Sequence, residues 1–239
     1  MEKRPLLLEL RSLKIIPVSQ NESVSSRNRN LIGRRACGIA CIAIVLKFFD
    51  KYPQDKNIRN IEWLILEISK LHKNGISSLK QKITLDNQVT WITVDIASEN
   101  TKVAASQKVF QPDSTYFPSF SLVRGLDHRA SSEIFDKYNL SAGMFESISI
   151  DELKQMLMEG KFVILSVKPK RKIAQKIAGE EAFEGHLVLI TDYDSNGDKF
   201  YVADPDFDLK LGLLPKYEIR AGDLAKISNY KGTWVKGDK

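Results

Sequence analysis

Three side-chain types in this 239-residue chain can together attack an acyl group: a thiol, an imidazole and a carboxylate. Cys37 stands in Arg35-Ala-Cys-Gly-Ile-Ala-Cys41, and an apolar run continues from there to Phe49. The run is too long for an ordinary strand, so it reads as a helix, and a helix apolar on every side is a buried one. Cys37 is therefore expected where a loop becomes the N-terminus of a central helix. Unpaired N–H groups and a partial positive charge at that end favour the thiolate, the nucleophilic form of cysteine. Gly38 is expected to leave the backbone open to a substrate carbonyl. Taken alone, Cys37 and Cys41 read equally well as small core residues.

A nucleophile needs a base, and the chain has three histidines: His72, His128 and His186. His186 follows Gly185 and opens an aliphatic, β-branched strand, Leu187 to Tyr193. The turn signal Asp194-Ser-Asn-Gly-Asp198 comes next, then a second strand, Lys199 to Ala203, and Asp204-Pro205. Two strands about an Asn-Gly form a hairpin. The start of one strand then lies beside the end of the other, which brings His186 and Asp204 together. A carboxylate there fixes the imidazole tautomer and steadies its cation. His128 is a rival base without a following hairpin, and Asp127 beside it points elsewhere. His72 reads as a residue capping the last turn of a helix.

Cys37-Gly38-Ile39-Ala40 opening a helix, Gly185-His186 opening a strand and Asp204-Pro205 closing the next resemble the papain-like cysteine peptidases of the bacteriocin-processing, double-glycine-leader type and their stand-alone relatives. The order agrees. Cys37 precedes His186 by 149 residues, and His186 precedes Asp204 by 18. The resemblance implies a Cys37-His186-Asp204 triad that hydrolyses peptide bonds in a peptide or protein substrate. It also implies a glutamine that donates to the oxyanion. Gln20, in Pro17-Val-Ser-Gln20, resembles the glutamine lead-in, with a longer loop before the cysteine than exporter-linked members have. A papain-fold acyltransferase or amidase, and a catalytically silent peptide-binding module, remain open alternatives at this point.

Composition narrows the partners. The net charge of +6 is modest, and 43% hydrophobic with 28% charged residues describes an ordinary globule. Two cysteines one helical turn apart are expected to be free rather than bridged. No zinc spacing and no cofactor motif occurs. The basic run Lys168 to Lys172 is isolated and lacks aromatic interleaving, so nucleic-acid binding is not expected. Asp192-x-Asp194-x-Asn196-Gly197 resembles the start of a calcium loop, but the twelfth position is Ala203, not glutamate. No apolar run suits a membrane span or a signal peptide. The chain is expected to be cytoplasmic; its oligomeric state is not written in the sequence.

The elements that must position these residues read as an α+β fold in a single domain over residues 1–239. A helical part led by the Cys37 helix packs on an antiparallel sheet carrying His186 and Asp204. Leu13 to Val18 is an extended or edge segment, since Pro17 excludes a central strand. The polar loop Ser19 to Arg35 carries Arg27, Arg29, Arg34 and Arg35 beside the site. Pro53 is expected to break the central helix. Apolar residues at Ile58, Ile61, Leu64, Ile65 and Ile68 predict a helix over 58–71. Residues 80–127 read as an insertion or irregular region, with a strand near Val89–Val94 and an aromatic cluster over 110–120. Ser149-x-x-Glu152 is a capping box opening a helix that Gly160 stops, before a buried strand, Phe162 to Val167. The loop over 168–184 is expected to border the cleft.

Overall fold

The structure, a computed structural model, describes residues 14–20, 36–53, 61, 64, 67–68, 78–85, 88–95, 103–106, 120–121, 125–126, 128–168, 185–207 and 212–237. In chain order its elements are α1 (Cys37–Phe48), β1 (Ser78–Leu85), β2 (Gln88–Asp95), β3 (Val103–Ser106), β4 (Phe120–Ser121), β5 (Gly125–Leu126), α2 (His128–Lys137), β6 (Leu140–Phe145), α3 (Ile150–Met158), β7 (Phe162–Val167), β8 (His186–Asp194), β9 (Lys199–Ala203), β10 (Lys216–Arg220), α4 (Ala221–Ile227) and β11 (Ser228–Gly237). The main sheet has six strands in the order β10-β9-β8-β7-β11-β6, paired antiparallel throughout.

The centre of this sheet is covered on both faces, and the sequence pattern follows from that. Alternate residues of a strand point to opposite faces. On β7 and β8, Phe162, Ile164, Leu187 and Leu189 join a cluster with α1, α2 and β5. Their neighbours Val163, Leu165, Val167, Val188 and Ile190 join a second cluster with α3 and α4. Both strands thus read as continuous apolar runs. The α1 helix supplies the largest block of the first cluster, with Cys37 to Leu46 all buried. Its end at Phe48 is stacked edge-to-face on Phe162, with ring centroids 4.7 Å apart.

Several local expectations are met. Ser149 Oγ accepts from Glu152 N at 3.1 Å, and Ser149 N donates to Glu152 Oε2 at 2.7 Å, closing the capping box of α3. Gly160, just beyond, takes φ +81°, which a residue with a Cβ resists. Asp194 accepts from Asn196 N and Gly197 N, so its carboxylate shapes the β8–β9 turn as a hairpin requires.

Other expectations need correction. The central helix ends at Phe48, before Pro53 is reached: Asp50 turns left-handed at φ 54°, and Lys51 N donates back to Leu46 O at 2.8 Å. Within the supposed irregular region, β1, β2 and β3 form a separate three-stranded antiparallel meander. The expected strand near Val89–Val94 is its middle member. Residues 15–19 are extended and join no sheet. Of the helix expected over 58–71, Ile61, Leu64 and Ile68 are buried, as its stripe requires. His72, the arginines between 27 and 35, the aromatic residues over 110–119 and the loop over 169–184 lie outside the described residues. No helix among the described residues is long and apolar enough to cross a membrane.

Candidate active site

Cys37 is the first residue of α1. Ala36 occupies the N-cap and offers no side-chain hydrogen bond, and the first turn carries no acidic residue. The N–H groups of that turn therefore keep no side-chain acceptor at the cap. Only 9% of Cys37 is exposed. Gly38 does not have the open face expected of it. A Cβ there would stand 2.8 Å from Leu126 and Leu187, so glycine is required for close packing of α1 beneath β5 and β8. Cys41, one turn on, is a free, fully buried thiol directed at the Leu187 carbonyl, and burial pushes it well above the ordinary thiol range. It fills space in the core while Cys37 faces the sheet end.

His186 opens β8 and is buried. Its Nε2 lies 2.7 Å from Asp204 Oδ1, and the Cys37 sulfur acts on the ring together with that carboxylate. Burial disfavours the ring cation, but the hydrogen bonds to Asp204 and Cys37 and their charges outweigh it, raising the pKa to about 10. Burial also disfavours the Asp204 carboxylate. The His186 hydrogen bond and charge, with donors from Asp206 and Tyr217, reverse this and hold it below its usual range. Asp204 Oδ1 accepts from Asp206 N at 2.9 Å and Oδ2 from the Tyr217 hydroxyl at 3.3 Å. Burial, followed by the Asp204 charge, raises the Tyr217 phenol, so Tyr217 stays a neutral donor.

The pairing of His186 with Asp204 depends on a bulge. Near the turn, Asp192 pairs with Tyr201; farther on, Ile190 pairs with Val202 and Leu189 with Ala203. Thr191 is thus an extra residue on β8, and its hydroxyl donates to Tyr201 O at 3.2 Å. Carried one step on, this register sets Asp204 opposite Val188, on the same face as His186. Without the bulge it would sit opposite Leu189, facing away.

Gln20 arrives from far along the chain. Its N donates to Pro205 O at 2.9 Å and its Nε2 to Asp206 Oδ1 at 3.2 Å, beside the His186–Asp204 pair. Of the four residues named from the sequence, His186 and Asp204 are in contact, and Gln20 reaches the two residues that follow Asp204. His128, the rival base, lies elsewhere: its Nδ1 is 3.1 Å from Thr233 Oγ1 and its Nε2 3.2 Å from Ser166 Oγ. A pocket of about 210 Å³ opens beside the pair, lined by His186, Asp204, Asp206, Tyr217 and residues 212–214. The sequence reading missed Asp206 and Tyr217. An aspartate two residues after Asp204 carries no signal of its own, and Tyr217 is one aromatic residue on an edge strand.

A sulfur, an imidazole and a buried carboxylate in that order can move a proton to and from an attacked acyl group. The structure is similar to that of the peptidase domain of Streptococcus ComA, a bifunctional ABC transporter of a quorum-sensing pathway, at 11% identity and TM-score 0.42, over 85% of this chain and 93% of that one. It is similar also to a C39-like peptidase from Bacillus anthracis, at 13% identity and TM-score 0.48, over 94% of this chain and 96% of that one. No curated protein matches the sequence. The model of the Peptidase_C39 like family matches residues 12–235, nearly the whole length. With its mixed helices and antiparallel sheet, this chain belongs to that family and has the papain-like peptidase fold.

Proposed function

We propose that the chain is a cysteine peptidase that cleaves peptide bonds through Cys37, His186 and Asp204. The Cys37 thiolate attacks the scissile carbonyl, forming a C–S bond and an oxyanion. A second N–H of Gln20 Nε2 and the Cys37 backbone N–H stabilise that charge. The His186 cation gives its proton to the leaving amine as the C–N bond breaks, which leaves a thioester on Cys37. His186 then takes a proton from water, which attacks the thioester; the acid departs and the thiolate returns. Asp204 holds the ring in place and supports its charge throughout.

The observation that carries this reading is the buried His186 ring held 2.7 Å from the Asp204 carboxylate, with its pKa raised by Asp204 and the Cys37 sulfur. An imidazole merely filling the core has no need of an acid and a thiol acting on it. Membership of the peptidase family points the same way.

The direct test is turnover of N-acetylglycine p-nitrophenyl ester, read by nitrophenolate release, with the acyl-enzyme followed by mass. Cys37→Ala should lower the rate by on the order of 10⁴-fold or more, while the thermal unfolding transition stays near that of the wild type. A Cys37→Ala protein that turns over normally removes the reading. Glycinamide added to the reaction separates hydrolysis from transfer to an amine.

A further inference from the structure

We propose that Asp206 is a positioning residue whose carboxylate sets which end of the Gln20 amide faces the reaction centre. The inference rests on the triad reading above and extends it to a residue that the triad does not include. Gln20 and Asp206 are separated by 186 positions in the chain, yet Gln20 Nε2 lies 3.2 Å from Asp206 Oδ1. The neighbouring backbone reinforces the junction: Gln20 N donates to Pro205 O at 2.9 Å, and Asp206 N donates to Asp204 Oδ1 at 2.9 Å. The tripeptide Asp204-Pro205-Asp206 thus holds the partner of the ring with one residue and the glutamine with the other two.

The physical need arises from the amide itself. Its two ends have nearly the same shape and differ in hydrogen-bond sense, NH2 donating and C=O accepting. An oxyanion requires the donating end. An ionised carboxylate can only accept, so Asp206 admits Nε2 and rejects Oε1. The cost of that choice is visible. Gln20 is only 4% exposed, and its Oε1 is buried without a hydrogen-bond partner among the described residues. An amide choosing for itself would turn that oxygen toward a donor; here the charged acceptor overrides the preference. Asp206 takes one N–H of Nε2 and leaves the other for the substrate oxygen.

The test compares Asp206→Ala, Asp206→Asn, Gln20→Ala and the double variant Gln20→Ala/Asp206→Ala on the same nitrophenyl ester. Gln20→Ala should lower kcat by about 100-fold, the low end for losing an oxyanion donor, and Asp206→Ala by about 10-fold with KM little changed. The double variant should be no slower than Gln20→Ala alone, because the carboxylate acts only through the amide. Asp206→Asn keeps the shape but tolerates either end of the amide, so its kcat should fall between wild type and Asp206→Ala. It also serves as the reporter should Asp206→Ala fail to fold. Alkylation of Cys37 by iodoacetamide and the alkaline limb of the pH profile for peptide cleavage should both match the wild type, a result general damage to the site would not produce. Asp206 variants at the wild-type kcat, in an enzyme that Cys37→Ala inactivates, overturn this inference alone. Losses that multiply in the double variant overturn it as well. Normal turnover by Cys37→Ala removes the triad reading and this inference with it.

Discussion

His186 and His128 are equally buried, each 6% exposed, and each opens a regular element. Both meet β7: Ser166, which contacts His128 Nε2, pairs with Leu187, and the next residue, Val167, pairs with His186. Their partners differ. The ring nitrogens of His128 meet the hydroxyls of Thr233 and Ser166; Thr233 donates its proton to His128 O, so it accepts from Nδ1–H and leaves Nε2 to accept from Ser166. In His186, Nε2 meets a carboxylate. Burial opposes charge on the His186 ring, and the acid together with the sulfur reverses it, to about 10. Enclosure and satisfied hydrogen bonds therefore do not distinguish a working histidine from a structural one. The sign and acidity of the partners do.

The sharpest way to break this comparison is to delete each ring in turn. His186→Ala should abolish ester turnover, by on the order of 10⁴-fold or more, and leave a folded protein. His128→Ala should do the reverse. It leaves Thr233 and Ser166 facing a buried void and costs about 2–4 kcal/mol, read as a lower Tm, while turnover per folded molecule persists. A His128→Ala enzyme that is stable but dead would exchange the two assignments.

A second prediction concerns the charge on the ring. The His186 pKa is raised from 6.5 to about 10 in the folded state. The protonated ring thus contributes stability that is complete below 6.5 and is lost as pH rises through about 10. Cleavage of a peptide substrate, unlike the nitrophenyl ester, should fall over the same alkaline range, since the leaving amine needs that proton. Asp204→Asn removes the supporting charge, so the alkaline limb should move to lower pH and the alkaline loss of Tm should flatten. A limb that stays in place would mean that Asp204 does not govern the ring.

The smallest expected effect belongs to Gly38. Its missing Cβ is occupied by Leu126 and Leu187, at 2.8 Å. Gly38→Ala should therefore cost about 1–3 kcal/mol by overpacking, measured as a lower denaturation midpoint. An alanine tolerated without loss of stability would restore the view of Gly38 as an opening for substrate.

Much of this site is legible in the residues. A long apolar run after Cys37 can satisfy its surroundings only as a buried helix, and Ser149 with Glu152 caps α3 through neighbours three positions apart. The Asn-Gly turn brings β8 and β9 together through local chemistry. Gly38 was misread because its role depends on Leu126 and Leu187, which only folding brings against α1. Pro53 was credited with an ending that the left-handed Asp50 achieves first.

By itself the sequence determined which chemical groups are present, their order, and the local elements that carry Cys37, His186 and Asp204. Only the tertiary structure decided that His186 meets Asp204. Side chains alternate along a strand, so one extra residue at Thr191 determines whether Asp204 points toward His186 or away, and no local preference encodes that slip. The approach of Gln20 to Asp206 is likewise a contact between distant segments, chosen by packing rather than by any neighbour in the chain.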